Sequence, residues 1–138
     1  MAWLKLITLV HFCCSTGLYA VPVEHAREVR LLTACRSLPE ARPNVMGVVE
    51  GWGGQREETL TVVDTLGGGG EHLLILDRGD QPFGLLVEAV CGIIRVDESA
   101  LGPPPEGQRS PVISGAARTE AGLLLLVDVN LLEATLSA

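Results

Sequence analysis

The sequence predicts a mainly β fold made of two similar small β units, and three observations support this prediction. Short runs rich in Val, Leu and Ile alternate with turn-rich pieces, as in small barrels or sandwiches. Two segments recur at a single spacing along the chain. Hydrophobic residues make up 47% of the 138 residues and aromatic residues only 4%, so the core must be aliphatic. The chain is interpreted as one domain over residues 1–138, because a domain of this length buries roughly two-thirds of its unfolded surface.

The chain opens with two predicted strands, Leu6–Phe12 and Leu18–Val23, joined by small residues suited to a hairpin loop. Pro22 fixes a backbone angle that suits the start of a short helix. In that helix Val23, Ala26 and Val29 would share one face, because they are spaced three residues apart. The opening is therefore predicted to be strand, strand and short helix.

The same opening letters have an alternative interpretation as a secretion signal. A signal needs about 7–15 uninterrupted apolar residues. Here the run Leu6–Val10 includes Thr8 and ends at His11, and a cut after Ala20 would place bulky Leu18 where a small residue is preferred. The strand interpretation is favoured, and a secreted small β-protein with a cleaved signal stays as the alternative. No run approaches the ~18 apolar residues that span a bilayer, so no direct membrane insertion is expected.

A duplication organises the rest of the chain. The segment LYAVPVEHAREV resembles PFGLLVEAVCGI, and LTVVD resembles LLLVD. The number of residues from Tyr19 to Phe83 equals the number from Asp64 to Asp128. We call this common number of residues the repeat spacing. Two segments that agree on one spacing indicate a doubled unit. The predicted halves are residues 1–66 and 71–138, which can exchange strands, and the run Gly67–Gly70 is expected to be a mobile connector between them.

Seven further strands and one helix are predicted along this plan, with an extended loop over Gly102–Gly107. Asn130–Leu136 is the predicted closing helix. The strands are Val45–Trp52, Thr59–Asp64, His72–Asp77, Phe83–Val90, Gly92–Val96, Val112–Ala117 and Leu123–Val129.

The residues offer little for catalysis. No serine lies in a G-x-S-x-G elbow, and the glycine run lacks the Lys-Ser/Thr of a phosphate loop. Asp64 and Asp128 occupy equivalent strand ends, which favours a structural role in accepting backbone N–H groups. We predict a protein that is not an enzyme.

No metal, cofactor or nucleic acid is expected. The four cysteines form no C-x-x-C pattern and are interpreted as reduced thiols, although two disulfides could also be built from them. The net charge is −7 and the ten cations do not cluster, so the chain lacks a surface that could follow phosphates.

Segments over nearly the whole chain carry one common resemblance. LYAVPVEHAREV, VMGVVEGWGG, LTVVD, FGLLVEAVCGIIRVDESALGPPPEG and SGAARTEAGLLLLVDVNLL follow one another in this order. They resemble the segments Y-A-x-P-x-x-x-V-x-E-V, G-V-x-N-L-R-G, V-P-V-V-D-L, G-L-L-V-D-x-V and L-L-L-D-x-x-x-L-L of the CheW family of chemotaxis coupling proteins. Each segment is moderately specific, and their shared order makes the resemblance strong.

The resemblance implies a fold and a function. The fold would be two intertwined SH3-like β-barrels around a shared apolar seam, with short helices. The function would be that of a cytoplasmic, non-enzymatic adaptor for chemotaxis signal transduction. Its partners would be the regulatory domain of a CheA-type histidine kinase and the cytoplasmic tip of chemoreceptors.

The resemblance also implies partner-binding residues. The receptor-facing groove would lie near Ala26, Glu28, Val29, Val48 and Trp52, and the kinase-facing surface near Phe83, Val87 and Ile94. Val29 and Val48 fit core packing equally well. Trp52 lies between Gly51 and Gly53 and is expected to be an exposed interface anchor.

The sequence departs from the family pattern at two segments. The arginine of G-V-x-N-L-R-G falls on Trp52, and the proline of V-P-V-V-D falls on Thr61. The stretch from Gly53 to Leu60 is a few residues longer than in the family, and Gly67–Gly70 replaces a helix. These departures concern receptor coupling more than the fold.

Overall fold

The computed structural model describes residues 5–38, 44–52, 58–77, 81–108, 110–134 and 136, which form eleven strands and one α-helix. The strands are β1 (Leu6–Cys14), β2 (Gly17–Pro22), β3 (Ala26–Leu31), β4 (Val45–Glu50), β5 (Thr59–Val63), β6 (His72–Leu76), β7 (Phe83–Val87), β8 (Ala89–Asp97), β9 (Leu101–Gly102), β10 (Ile113–Thr119) and β11 (Gly122–Val127). The helix α1 covers Val129–Ala134, and short 3-10 turns cover Val23–His25 and Glu98–Ala100. The prediction of a mainly β fold is confirmed.

The strands form two sheets. Sheet I has the order β8-β1-β2-β11-β10-β9, and sheet II has the order β3-β6-β7-β5-β4. Each sheet contains strands from before and after the glycine run. Each also contains one parallel pair, β2 with β11 in sheet I and β7 with β5 in sheet II.

The predicted duplication is confirmed by the strand register. Tyr19 pairs with Phe12 and Leu125, and Phe83, its equivalent in the second segment, pairs with Leu76 and Thr61. Each partner of Phe83 is separated from the matching partner of Tyr19 by the repeat spacing. The two sheets are therefore copies of one arrangement.

One hairpin interrupts the common spacing. Val48 of β4 pairs with Thr61, and Ala116 of β10 pairs with Leu125, the equivalent of Thr61. Ala116 is therefore the counterpart of Val48 in sheet I. It lies further along the chain than the repeat spacing requires. Residues 51–58 separate the paired Glu50 and Thr59, and only residues 119–122 separate Arg118 and Leu123. The β4–β5 connection is therefore longer than the β10–β11 connection of the same chain, and residues 53–57 lie outside the described residues.

Among the described residues, buried apolar side chains form three clusters. The largest, the shared core, packs side chains from both sheets together, with Phe12, Tyr19, Leu76, Phe83 and Leu132 among its members. The rings of Phe12 and Tyr19 stack in it with centroids 5.9 Å apart. The other clusters lie within single sheets: Leu60, Val62, Leu73, Ile75 and Leu86 form the sheet II core, and Leu9, Ala20, Val96 and Leu124 form the sheet I core. An apolar seam shared by two units is what the sequence predicts.

The predicted helix after Pro22 is wrong beyond its first turn. Val23–His25 makes a single 3-10 turn, and Ala26–Leu31 continues as β3, paired with β6. The letters EVRL alternate with the period of a strand, and the hydrogen bonds with β6 decide between the two patterns. Val29 therefore lies on an edge strand.

A single strand over Phe83–Val90 is also wrong, because the chain changes sheet within it. β7 ends at Val87 in sheet II, and β8 begins at Ala89 in sheet I. At the change, the N–H of Glu88 donates to the carbonyl of Cys13 at 2.8 Å. β8 then runs through Cys91 to Asp97 without the predicted break.

The glycine run is packed against the β1–β2 hairpin, in contrast to the expected mobile connector. The N–H of Ser15 donates to the carbonyl of Gly68 at 2.9 Å, and the Ser15 hydroxyl donates to the carbonyl of Gly67 at 3.0 Å. A Cβ added at Gly70 would lie 2.5 Å from the Cα of Glu88. Close approach of two backbone segments, more than mobility, explains glycine at this position.

The predicted structural role of the strand-end aspartates is confirmed at Asp128. Its Oδ1 accepts the N–H groups of Asn130 at 2.9 Å and Leu131 at 3.2 Å, so it caps the first turn of α1. Asp64 uses its main chain: its N–H donates to the carbonyl of Asn44, and its carbonyl accepts from Gly67.

Candidate functional site

An open groove runs between the edge strands of the two sheets. β3 is an outermost strand of sheet II and β8 an outermost strand of sheet I. Both line one cavity of about 300 Å³, which we name the intersheet groove. Its lining residues are Val10, Val23, Ala26, Arg27, Glu28, Val29, Leu74, Val90, Gly92 and Ile93.

The groove follows from the duplication. Apart from Val23, its apolar side chains form equivalent pairs related by the repeat spacing, namely Val10 with Leu74, Ala26 with Val90 and Val29 with Ile93. Because equivalent side chains line the groove from both sheets, its two walls are nearly alike. The charged residue Glu28 is matched by Gly92, so charge distinguishes one wall from the other.

The walls expose large apolar side chains. Val29 is 45% exposed and Ile93 is 69% exposed, although both lie on strands of a well-packed fold. Edge strands in natural proteins usually carry charges or are covered, because unpaired backbone groups invite other chains. Exposed apolar side chains beside two such edges are typical of a binding surface.

A more polar cavity adjoins the groove, and we name it the tryptophan cleft. Its volume is about 560 Å³, and Arg27 and Glu28 line both cavities. The guanidinium carbons of Arg27 and Arg30 lie 5.2 Å and 5.4 Å from the centroid of the Trp52 ring. Its lining residues are Arg27, Glu28, Arg30, Trp52, Glu58, Thr59, Gln81 and Pro82.

Ion pairs hold both arginines in place. Nη1 of Arg27 lies 3.2 Å from Oδ2 of Asp77, and Nε of Arg30 lies 3.0 Å from Oε2 of Glu28. Nη1 of Arg30 also donates to the main-chain carbonyl of Trp52. Each arginine therefore meets both an acid and the aromatic ring, and this arrangement fixes the ring between β3 and the β4–β5 turn.

Trp52 is less exposed than the sequence predicts. It is half-buried and packs against the sheet II core. The local sequence shows the glycines beside Trp52 but not its contact with the sheet II core, whose residues are distant in the chain. The two arginines cover the part of the ring that the core leaves open.

The structure brings four of the predicted receptor-facing residues together. Ala26, Glu28 and Val29 line the intersheet groove, and Trp52 lies beside Glu28 in the tryptophan cleft. Val48 is not among the lining residues of either cavity. It is half-buried on β4, where its main chain exchanges hydrogen bonds of 2.8 Å and 2.9 Å with Arg36.

Two of the predicted kinase-facing residues need correction. Phe83 is 1% exposed and Val87 is 0% exposed, and both belong to the shared core, so neither presents its side chain to a partner. β7 lies between β6 and β5 in sheet II, and all five of its residues are buried. The unbroken apolar run FGLLV is typical of a strand covered on both faces. Ile94 is half-buried and packs against the sheet I core.

Sequence reasoning missed the β8 half of the groove. Val90 and Ile93 line it, and both are equivalent to residues that the resemblance placed in the receptor-facing groove. The repeat spacing was the signal that could have found them.

The two cavities are better suited to binding a partner than to catalysing a reaction. Burial raises the pKa of Cys14 to about 12, and it also raises the pKa of Cys35 and of Cys91, so these thiols are protonated at neutral pH. Within the described part of the chain, no group of three or more His, Cys, Asp or Glu could hold a metal ion. Among the same residues, no helix has the length and apolar character needed to cross a membrane.

Comparison with known proteins gives one family and one fold. The chain matches the family model of the CheW-like domain over residues 8–135. It is similar in structure to the scaffolding protein TtCheW from Thermoanaerobacter tengcongensis, with 22% sequence identity, a TM-score of 0.73 and coverage of 89% of each chain. No curated protein matches it. The structural likeness confirms the predicted fold class of two SH3-like units.

Proposed function

Because this chain belongs to the family of CheW-like domains, we propose that it couples a CheA-type histidine kinase to the cytoplasmic tips of chemoreceptors. Family membership supports the general role of a chemotaxis adaptor, and the finer coupling is our proposal. The adaptor acts in the cytoplasm by binding and without turnover. It uses no cofactor, binds no nucleic acid and does not itself insert into a membrane.

The observation that carries this proposal is the intersheet groove. Its lining is mainly apolar, and its two walls expose Val29 and Ile93. A groove of this kind suits the apolar face of a helix, whose side chains recur every three to four residues. We assign the receptor tip to this groove, with Arg27 and Glu28 as polar contacts at its rim.

The tryptophan cleft extends the same surface. Trp52 replaces the family's arginine, and Arg27 and Arg30 place two guanidinium groups against its ring. Positive charge is therefore supplied to this surface from β3, although both arginines are also ion-paired. We propose that Trp52 and these arginines flank the receptor contact.

The proposed kinase contact is restricted to the surface around Ile94. Phe83 and Val87 are buried, and Ile94 is the one residue of the predicted set that reaches the surface. Ile94 neighbours Ile93 on β8 and packs against the sheet I core, whereas Ile93 lines the groove. Receptor and kinase can then bind different sides of one strand.

The receptor assignment is tested with charged substitutions at exposed groove positions. Ile93→Asp should change the melting temperature little and Val29→Asp only modestly, because the two side chains are 69% and 45% exposed. Each should weaken binding of a receptor cytoplasmic fragment from the same organism by roughly ten-fold to a hundred-fold, which is about the worth of one buried aliphatic side chain. Binding is measured by isothermal titration calorimetry.

The matched control is Leu131→Asp. Leu131 on α1 is 45% exposed, like Val29, but it lies outside both cavities. It should bind the receptor fragment and the kinase regulatory domain as the wild type does. Groove variants that fold and bind the receptor fragment normally would refute the groove assignment, and a folded wild type that binds neither partner would refute the adaptor.

The secreted alternative makes a different prediction about the opening residues. β1 and β2 supply Phe12, Tyr19 and Val21 to the shared core, so a chain that began near Leu18 would lack a central strand of sheet I. Intact-mass measurement of the native protein separates the two proposals. The adaptor predicts that these residues are retained with reduced thiols, and a compact product that begins near Leu18 would contradict it.

A further inference from the structure

The equivalence between the two sheets is reciprocal, so a pseudo-two-fold rotation relates them. In sheet I, Tyr19 pairs in parallel with Leu125. The corresponding pair in sheet II is Phe83 with Thr61. From the first pair to the second, Tyr19 moves forward by one repeat spacing and Leu125 moves back by one. A second application of the same operation returns each of these residues to its starting place, as a two-fold rotation does.

The axis of this rotation passes through the intersheet groove. Both members of the equivalent pairs Val10 with Leu74 and Val29 with Ile93 line it, so the rotation carries the groove onto itself. An axis lying along the surface would turn the opening of the groove into the protein, so the axis must point out through that opening. A helix in the groove is therefore perpendicular to the axis, and in the reversed direction it meets equivalent walls.

The apolar side chains do little to choose between the two directions. The equivalent residues Val29 and Ile93 differ only in size, and so do Ala26 and Val90. A helix whose apolar side chains recur every three to four residues can place them in such a groove in either direction. A partner that binds in a single direction needs a further difference between the walls.

Charge supplies that difference. Of the described residues that line the groove, Arg27 and Glu28 are the charged ones, and both belong to β3. Their equivalents on β8, Cys91 and Gly92, have no charged side chain. The Arg27 side chain is 51% exposed and the Glu28 side chain 36% exposed, so a partner can reach both. The ion pairs described above hold these two side chains in place on their wall.

We propose that Arg27 and Glu28 are specificity-determining residues that fix the direction in which a receptor helix lies in the groove. This inference rests on the proposed function, because it concerns the same partner at the same site. The occupant is a helix with an apolar stripe and charged side chains along one flank, a basic one beside Glu28 and an acidic one beside Arg27. In the reversed direction that flank faces β8, where its charges have no partner.

The preference for one direction should be modest, because both charges are partly exposed. One ion pair at such a site favours the matched direction by roughly two-fold to three-fold, and the two pairs act together. We therefore expect the populations of the two directions to differ by roughly five-fold. Charged side chains beside an apolar seam set partner orientation in coiled coils for the same reason.

The test locates a nitroxide at one end of the receptor helix relative to the methyl groups of Val29 and Ile93. It uses the full-length protein and the receptor cytoplasmic fragment, labelled on the helix that hydrogen exchange shows to be protected on binding. Val29 and Ile93 lie on opposite sides of the axis, so they mark opposite ends of the groove. Paramagnetic relaxation of their methyl groups then reports the populations of the two directions. A label at the other end of the helix should exchange the two effects.

The decisive variant is Arg27→Gln with Glu28→Gln, which removes both charges and keeps the net charge. It should lower the ratio of the two directions from roughly five to below about two, and weaken binding by roughly three-fold. The matched control is Lys5→Gln with Glu98→Gln. It removes an exposed ion pair of 3.5 Å that lies outside both cavities, and it should keep the ratio of the wild type.

Two results would overturn the inference while the proposed function stands. One is equal populations of the two directions in the bound wild type, and the other is a wild-type ratio that persists in the variant without Arg27 and Glu28. A failure of the proposed function looks different, because the fragment would then not bind or would relax neither methyl group. That result would overturn the groove assignment and this inference together.

Discussion

Replacing Trp52 by alanine should destabilise the fold, and the cost can be worked out from its surroundings. Removal of a fully buried large aromatic side chain costs about 3–5 kcal/mol. Trp52 is half-buried against the sheet II core, so we expect about 2 kcal/mol from lost packing. Arg27 and Arg30 lie over the ring with half-exposed side chains, and each cation–π contact is worth about 0.5 kcal/mol at such a site. The expected total is about 3 kcal/mol.

Urea denaturation followed by far-UV circular dichroism measures this cost. With a slope of about 2 kcal/mol per M, the midpoint should fall by about 1.5 M and the slope should stay unchanged. Trp52→Phe keeps a ring against the core and should cost about 1 kcal/mol. Leu131→Ala, at an exposed position, should cost less than about 0.5 kcal/mol.

A double-mutant cycle isolates the aromatic contact. Trp52→Ala combined with Arg27→Met should show a coupling of about 0.5 kcal/mol, because the Arg27–Asp77 ion pair is lost equally on both sides of the cycle. If Trp52→Ala shifts stability by less than about 0.5 kcal/mol, as exposed positions do, the ring is an exposed anchor after all. The packing described for the tryptophan cleft would then be refuted.

Two further predictions concern a close backbone contact and a buried thiol. Gly70→Ala should lower the free energy of unfolding by about 2–3 kcal/mol in urea denaturation, because its Cβ would lie 2.5 Å from the Cα of Glu88 and 2.8 Å from the carbonyl oxygen of Val87. The control Gly102→Ala should be nearly neutral, because a Cβ at Gly102 would have nothing within 4 Å. Equal effects of the two substitutions would contradict the close packing at Gly70. Cys14 has a pKa of about 12 in the folded state against 9.0 as the ordinary value, so its thiol is neutral in both states below pH 9. Above pH 9 the unfolded chain releases this proton first, and stability should fall by at most about 1.4 kcal/mol per pH unit. Cys14→Ala should flatten that part of the stability profile, and an unchanged profile would contradict the buried thiol.

The strands and their duplication were readable from local features. Apolar runs bounded by small and polar residues indicated the positions of β1, β2, β5, β6 and β11 to within a few residues. The repeat spacing matched two segments, and the same spacing relates the register of three strand pairs in each sheet. Equivalent segments have equivalent neighbours in the two sheets. A duplication detected in two segments therefore also describes how the other strands are arranged.

The errors share one cause. Ala26–Leu31 fits helical and strand spacing alike, and the edge of β6 decides that it is a strand. Phe83–Val90 is apolar nearly throughout, and the change of sheet at Glu88 divides it. The burial of Phe83 and Val87 likewise depends on side chains of both sheets that meet in the shared core. Each outcome depends on a partner that is distant in sequence.

The sequence alone determined the family resemblance, the mainly β class and the doubled unit, because these depend on residue spacing along the chain. It also placed Ala26, Glu28 and Val29 on a common surface through the resemblance. Only the tertiary structure decided which strands are edges and which apolar residues stay exposed in the intersheet groove. Those features arise when segments far apart in the chain bury surface against one another. The free energy of that burial depends on which whole strands pair with one another. The spacing of residues within one segment does not contain this information.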